Sequence, residues 1–393
     1  MRALKNILVT GGCGFIGCNF IRFLLEKRSG FTGRIINLDA LTYAGNPESL
    51  GDIAGRFGGS GAAAGAASDA SAGAGGSPAG GRYFFERGDI CDRPLVESIF
   101  AKYDIDTVVH FAAESHVDRS ILGPEAFVKT NVTGTFTLLD AARNYWRRPA
   151  DGAAGSGGAG PIRRDALFHH ISTDEVYGSL GETGRFTETT ACDPRSPYSA
   201  SKAAGDHLAM AYFHTYGLPV TLTNCSNNYG PWQFPEKLIP LSILNMIGGK
   251  PLPVYGDGKN IRDWVYVEDH NAAVWMVMQK GAAGERYNIG GENQWENIRL
   301  LESLIGIVSE KAGLDPEKVR GTVTYVKDRP GHDRRYAIDC SKIKRELGWK
   351  QTVDFAGGLR RTVDWYLANG PWVEGIRTGE YRNWIERNYG DRG

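Results

Sequence analysis

Ile7-Leu8-Val9-Thr10-Gly11-Gly12-Cys13-Gly14-Phe15-Ile16-Gly17 is the stretch that decides the fold. An apolar strand runs directly into glycines, and Asn19 to Lys27 continues with helical spacing, placing Phe20, Phe23 and Leu24 on one face. Strand, glycine loop and helix together are the context in which a glycine pattern becomes a pyrophosphate site. Gly11, Gly14 and Gly17 allow a tight turn and close backbone approach, and the helix N-terminus attracts phosphate charge. A second strand, Arg34-Ile35-Ile36-Asn37-Leu38, ends at Asp39, about 20 residues past the glycines. A carboxylate there bonds a ribose 2′-hydroxyl and repels a 2′-phosphate, which favours NAD over NADP. The sequence therefore predicts an α/β chain with a Rossmann-type, doubly wound parallel sheet that binds NAD.

The following segments extend that pattern. Tyr83-Phe84-Phe85 reads as a third strand leading to Gly88-Asp89-Ile90, with Asp89 placed to reach an adenine. Thr107-Val108-Val109-His110-Phe111 is a fourth, and after it Ala112-Ala113-Glu114-Ser115-His116 supplies small residues that let backbone lie against a cofactor. Asn131 to Trp146 has the spacing of a helix, with Val132, Phe136, Leu139, Ala142 and Trp146 on one stripe and Arg143 at its edge. Two tracts of Gly, Ala and Ser, 54–81 and 150–160, bury too little apolar surface to offset their ordering entropy and are expected as flexible surface insertions.

Ala166-Leu167-Phe168 begins a further strand, and Ile171-Ser172-Thr173-Asp174-Glu175-Val176-Tyr177-Gly178 places polar residues where that strand opens into a loop. Ligands of open α/β sheets bind at such carboxyl ends. A hydroxyl beside two carboxylic acids is acid/base equipment, though the same residues also cap turns. Pro197 starts a helix running to Tyr216, on which Tyr198 and Lys202 are four apart and share a face. A cation beside a phenol favours the phenolate. After the strand Pro219 to Thr223 the βα alternation is lost, so the expected domains are 1–226 and a smaller substrate-binding lobe, 227–393, with some chain crossing back. Lys237, Arg262 and Arg329 fall in loops of that lobe, where Arg forks suit phosphate oxygens, whereas Arg334 and Arg335 read as solvated charge. The aromatic tail from Asp364-Trp365-Tyr366 to Trp384 reads as packing.

Composition narrows the partners. Lys plus Arg and Asp plus Glu number 45 each, so no net field favours nucleic acid or an anionic membrane. No apolar run approaches the ~20 residues that span a bilayer, and Met1 to Asn6 lead into a strand without a signal-peptide core. Six scattered cysteines with no C-x-x-C pair point to reduced thiols and a cytoplasmic location. No metal is expected, because His110, His116, His169 and His170 lack ligand spacing, and Cys13 and Cys18 read as small packed residues.

Thr10-Gly11-x-x-Gly14-x-x-Gly17 with Tyr198-x-x-x-Lys202 resembles the extended short-chain dehydrogenase/reductases, the NAD-dependent epimerase/dehydratase family. The stretch Ser172 to Gly178, with Leu38 to Asn46, Ala112 to Ser120 and Arg329 to Asp333, is similar to the nucleotide-sugar 4,6-dehydratases among them. The likeness covers nearly all of the chain outside the two insertions. It implies a hydro-lyase that converts dTDP-glucose to dTDP-4-keto-6-deoxyglucose and water in deoxysugar biosynthesis of the dTDP-rhamnose type. Tyr198 and Lys202 would oxidise C4, Thr173 would bond its oxygen, Glu175 would take the C5 proton and Asp174 would protonate the departing C6 hydroxyl. For the cofactor it implies Gly11, Gly14, Phe15, Ile16, Gly17, Asp39, Leu41, Thr42, Asp89, Ile90, Ala112, Ala113, Ser115, Thr130, Tyr198, Lys202 and Asn228. For the nucleotide sugar it implies Ser115, His116, Thr173, Asn227, Lys237, Leu238, Pro253, Val254, Tyr255, Arg262, Asn297, Asp328, Arg329, Pro330, Gly331 and His332. The same analogy implies a homodimer through the helices Asn131–Trp146 and Tyr198–Tyr216. UDP- or CDP-glucose as substrate, UDP-sugar epimerase or decarboxylase chemistry, and a cofactor-binding regulator without activity stay open, with Asp174-Glu175 arguing against an epimerase.

Overall fold

The computed structural model describes residues 1–26, 28–59, 80–147, 162–163 and 165–376. Among them are the strands β1 (Asn6–Thr10), β2 (Arg34–Asp39), β3 (Tyr83–Arg87), β4 (Thr107–His110), β5 (Leu167–Thr173), β6 (Val220–Cys225), β7 (Asn227–Tyr229), β8 (Leu252–Tyr255), β9 (Ile261–Tyr266), β10 (Arg286–Ile289), β11 (Gln294–Glu296) and β12 (Val323–Val326). The chain divides into two compact units: residues 1–172, 197–223 and 274–287 form the first, and 173–196, 224–273 and 288–393 the second.

A seven-stranded sheet has the order β10-β6-β5-β4-β1-β2-β3, with β3, β2, β1, β4 and β5 paired in parallel. Its chain order reverses between β1 and β4, the topological switch point of a doubly wound fold. Ile7, Leu8, Val9, Ile35, Ile36, Val108 and Val109 are wholly buried, as parallel strands covered on both faces require. Leu8 pairs with Ile36 and Val108, and around them Phe100, Leu138, Leu139 and Trp146 complete the first unit's core. Two histidines inside this sheet meet hydroxyls of the same unit. His110 lies 2.8 Å from Thr10 Oγ1 and 2.9 Å from Thr135 Oγ1, and His169 lies 2.8 Å from Thr221 Oγ1.

The second unit contains the sheet β11-β9-β7, antiparallel between β11 and β9 and parallel between β9 and β7, and the parallel pair β8–β12. The helices Leu238–Ile247, Asn297–Ala312 and Phe355–Ala368 pack about Tyr229, whose hydroxyl donates to Phe355 O at 3.3 Å. Trp365 and Trp372 meet Trp232 ring to ring, so the aromatic tail packs as expected as far as Ile376; the expectation for Trp384 falls outside the described residues.

Several boundaries differ from the sequence reading. The first helix is Phe15–Leu25, starting inside the glycine stretch rather than at Asn19, and Lys27 lies outside the described residues. The fourth strand stops at His110, and the sixth runs Val220–Cys225. Val128–Gly134 is a π-helix leading into the α-helix Thr135–Trp146, so the predicted helix at Asn131 begins as a wider turn. Strand β5 runs from Leu167 to Thr173, and its His169 meets Thr221 Oγ1 on β6 at 2.8 Å. The first insertion also starts later than expected. Ala54 to Phe57 belong to a helix whose Ile53 is buried, and Gly59 packs against Gly81 so closely that a Cβ on Gly81 would lie 2.2 Å from Gly59 N. The rest of that tract, and the tract 150–160, lie outside the described residues. Arg335, read as solvated, is buried instead, its guanidinium donating to Gln294 Oε1 at 2.6 Å, while Arg334 is an exposed partner of Asp257.

Candidate active site

In the first unit the glycine loop closes the carboxyl end of β1. Gly11 has φ +72°, and a Cβ on it would lie 2.6 Å from Ala112 N, so only glycine fits there. A Cβ on Gly17 would lie 2.3 Å from Gly11 O, which is why the helix can begin so close to the turn. Gly14 is different: a Cβ there would meet only Gly11 O, at 3.3 Å. It occupies the N-cap without a side-chain cap, and the first helical bond is Cys18 N to Gly14 O, so the amides of Phe15, Ile16 and Gly17 face outward from the helix start. An open approach over a glycine, ending on helix amides, suits a pyrophosphate.

Asp39 is buried and accepts from Cys13 N and Leu41 N, each at 2.8 Å. It therefore ties the glycine loop to the next loop, a role the sequence did not suggest, and burial raises its pKa. Leu41 has φ +55°, and Thr42 O accepts from Gly45 N. Asp89 accepts from Cys91 N at 2.9 Å, and Ile90 is buried where a Cβ on Gly134 would strike it. Ala112 N donates to Thr10 Oγ1. Ala113, Ser115 and the buried His116 follow, and Asn131 holds this segment, accepting from Glu114 N and donating to Glu114 O and Ser201 Oγ. Asn131 and Ser201 escaped the sequence reading because each fell inside a helical pattern. Thr130 is half-buried in the π-helix. Tyr198 is buried beside Val117, its ring centroid 6.3 Å from that of Phe127, and Lys202, one turn on, donates to Ile171 O at 2.7 Å. Cys13 and Cys18 are buried with their thiols pushed up by desolvation, as small packed residues should be.

In the second unit Thr173 ends β5 and caps the 3₁₀ turn Asp174–Tyr177, its hydroxyl accepting from Glu175 N at 3.3 Å. Asn224 Nδ2 fixes the Thr173 carbonyl at 2.9 Å. Asp174 is 2 % exposed; Thr173 Oγ1 donates weakly to its Oδ1 at 3.4 Å, and Oδ2 has no hydrogen-bond partner among the described residues. Burial, then the charges of Glu175 and Asp263, hold its pKa well above the usual carboxylate range. Glu175 is raised by burial too, but Arg329, Arg262 and Lys237 pull it back. The adjacent acids are thereby separated: Asp174 is biased to the protonated form and Glu175 has three cations favouring its carboxylate.

Arg262 is buried on β9, donates to Asp333 O and Ile261 O, and stacks 4.3 Å over the Tyr336 ring. Lys237 precedes the helix that starts at Leu238. Pro253, Val254 and Tyr255 form the end of β8, and Tyr255 meets the His332 ring edge-on at 6.1 Å. His332 Nδ1 is 2.5 Å from Asp328 Oδ1, while burial and then Arg329 and Arg262 lower its pKa to about 3. Pro330 and Gly331 make the turn between, with Gly331 at φ +66°. Asn227 opens β7, Asn228 Oδ1 and Asn297 Oδ1 are buried without a partner among the described residues, and Asn297 N is held by Asn260 O. Asp263, Asp333 and Tyr336, which shape the charge around Glu175 and Arg262, were missed, since carboxylates beside arginines read as solvated ion pairs. Among the described residues no group of three His, Cys, Asp or Glu is arranged to hold a metal.

A parallel doubly wound sheet with a glycine cradle, a Tyr–Lys pair and two differently poised acids is the equipment of a dinucleotide-dependent enzyme that rearranges a carbinol. The family described as GDP-mannose 4,6 dehydratase matches residues 69–362. A protein of Shigella flexneri named dTDP-glucose 4,6-dehydratase is 50% identical over 396 residues, covering 98% of this chain and 99% of the relative. The crystal structure of DesIV, a dTDP-glucose 4,6-dehydratase of Streptomyces venezuelae with NAD and TYD bound, superposes with a TM-score of 0.78 at 43% identity, covering 95% of this chain and 100% of the other. A dTDP-glucose 4,6-dehydratase of Bacillus anthracis in complex with NAD gives 0.76 at 41%, covering 95% and 99%. The chain belongs to this nucleotide-sugar 4,6-dehydratase family.

Proposed function

We propose that the chain is a dTDP-glucose 4,6-dehydratase, an NAD-dependent hydro-lyase that oxidises C4 of the hexose, eliminates water across C5 and C6, and reduces C6. One observation supports it above the others: two adjacent buried acids in different surroundings, Asp174 raised well above the usual carboxylate range and Glu175 raised by burial but set among Arg329, Arg262 and Lys237, a pairing that a dehydration needs and a simple oxidation or epimerisation does not. The relatives at half identity carry the same name over nearly their whole length.

The glycine cradle of Gly11, Gly14 and Gly17 with the amides of Phe15 and Ile16 would hold the pyrophosphate of NAD, and Asp39 would hold its adenosine ribose. NAD held there would supply reversible hydride chemistry for the oxidation at C4 and the reduction at C6. Tyr198 takes the C4 hydroxyl proton, with the Lys202 ammonium favouring its phenolate and holding the nicotinamide ribose. Thr173 bonds the C4 oxygen. Once C4 is a ketone the C5 proton is acidic, and Glu175 removes it as a carboxylate. Asp174, kept protonated, gives its proton to the C6 hydroxyl, which leaves as water; as C6 is reduced, Glu175 returns the proton to C5 and the 4-keto-6-deoxy sugar results. Arg262, Lys237 and Arg329 meet the diphosphate, and Tyr255 stacks on the base. The protein works in the cytoplasm as a homodimer, in deoxysugar biosynthesis of the dTDP-rhamnose type. Among the described residues no helix is long and apolar enough to cross a membrane.

The test is mass spectrometry of parallel reactions with dTDP-glucose and UDP-glucose and catalytic NAD⁺. Faster loss of one water from dTDP-glucose supports the proposal. Loss only from UDP-glucose keeps the chemistry and changes the base, and unchanged mass in both overturns the assignment.

A further inference from the structure

Lys202 Nζ donates to Ile171 O, so the ammonium's position depends on how β5 lies against the helix Pro197–Tyr216. Asp206 sits one turn beyond Lys202 on the same helical face and is wholly buried. His170 and Ser172 flank Ile171 and project from the other face of the strand, and both meet the Asp206 carboxylate. His170 Nε2 is 3.3 Å from Oδ1, and Ser172 is near enough to favour the carboxylate's charged form. On the far side Oδ2 lies 3.4 Å from Arg286 Nη2, at the start of β10. Gly205 makes room for this approach: a Cβ there would lie 3.2 Å from Asn131 O and 3.3 Å from the His170 ring. Burial alone would raise the Asp206 pKa, yet His170, Arg286 and Ser172 hold it below the usual carboxylate range. His170 itself is kept neutral by desolvation and by the Lys202 charge.

We propose that Asp206 is a positioning residue for the hydride-transfer steps: with His170, Ser172 and Arg286 it pins both neighbours of Ile171 and so fixes the carbonyl that aims Lys202. The proposal rests on the assignment of Lys202 to those steps. A carboxylate that merely anchored the fold would be needed for stability but would not single out one chemical step.

The test uses the holoenzyme of Asp206→Asn with dTDP-glucose carrying deuterium at C4. Expected are a kcat lower by roughly tenfold or more with KM within about twofold, as misaimed catalytic groups give. The deuterium effect on kcat rises, and less NAD stays with the protein through gel filtration. A parent-like kcat overturns the proposal. So does a loss of kcat in which the deuterium effect and NAD retention stay at parent values. If Asp206→Asn does not fold, Ser172→Ala removes one of the carboxylate's partners; it should show the same three changes in smaller measure, and parent values overturn the proposal. Lys202→Ala separates the layers. If it is inactive while Asp206→Asn is normal, only this inference fails; if it turns over normally, the Lys202 assignment fails and this inference falls with it.

Discussion

Each unit buries a carboxylate, and the two are kept in opposite states by their surroundings. Asp206, in the first, has His170, Ser172 and the Arg286 guanidinium around it, and the charged form is favoured in spite of burial. Asp174, in the second, has an oxygen without a partner among the described residues, and burial with the acids Glu175 and Asp263 outweighs Arg262, so the protonated form is favoured. Burial is common to both, and the sign of the neighbouring charge decides the outcome. A carboxylate locked as an anion suits holding other groups in place, whereas one locked as an acid suits giving up a proton once.

The largest way to break this contrast is at the acids themselves. Glu175→Gln and Asp174→Asn should each lower kcat by about 10²–10⁴-fold, the usual worth of a general acid or base, measured as water loss by mass spectrometry. A smaller effect separates the two carboxylates in stability rather than rate. Asp206→Ala removes a wholly buried anion and leaves the half-buried Arg286 without its partner, and should cost about 3 kcal/mol in denaturant unfolding. Asp174→Asn replaces a group already neutral and should cost about 1 kcal/mol or less. Equal costs would mean that Asp174 is also held as an anion. Arg262→Ala should raise KM for dTDP-glucose by about 10- to 150-fold, the range for losing a charge-assisted bond of ~1.5–3 kcal/mol, and an unchanged KM moves the diphosphate elsewhere.

The smallest expected effect is on pH dependence. Activity needs Glu175 ionised and Asp174 protonated, so rate falls as pH drops through the Glu175 pKa and as pH rises through that of Asp174. Arg329 is the strongest of the cations pulling the Glu175 pKa down. Arg329→Gln should therefore move the acid limb of kcat to higher pH, and a shift to lower pH would contradict the assignment.

The first unit was the more legible in sequence. Glycines that must avoid a Cβ and strands buried on both faces leave patterns a reader can find, and Gly11, Gly17 and β1, β2 and β4 stand where those patterns put them. Reading failed where polar residues serve the interior. In β5 the roles of His170 and Ser172 leave no local pattern, because their buried partner Asp206 stands on a helix more than 30 residues further along. In the second unit Asp174 and Glu175 were visible as a pair, but Asp263 and Asp333 were not, since no local spacing says that an acid far along the chain will stand beside them. Arg335 was misread for the same reason, its partners Gln294 and Gly184 being remote in sequence.

The measurement that tests the roles of the two adjacent acids most directly is exchange at C5 of the hexose in heavy water, followed by mass spectrometry of recovered dTDP-sugar. Asp174→Asn retains the base and lacks the acid, so it should take up deuterium at C5 while losing little water; Glu175→Gln lacks the base and should take up none. Deuterium uptake in Glu175→Gln and its absence in Asp174→Asn would reverse the two roles and contradict the account.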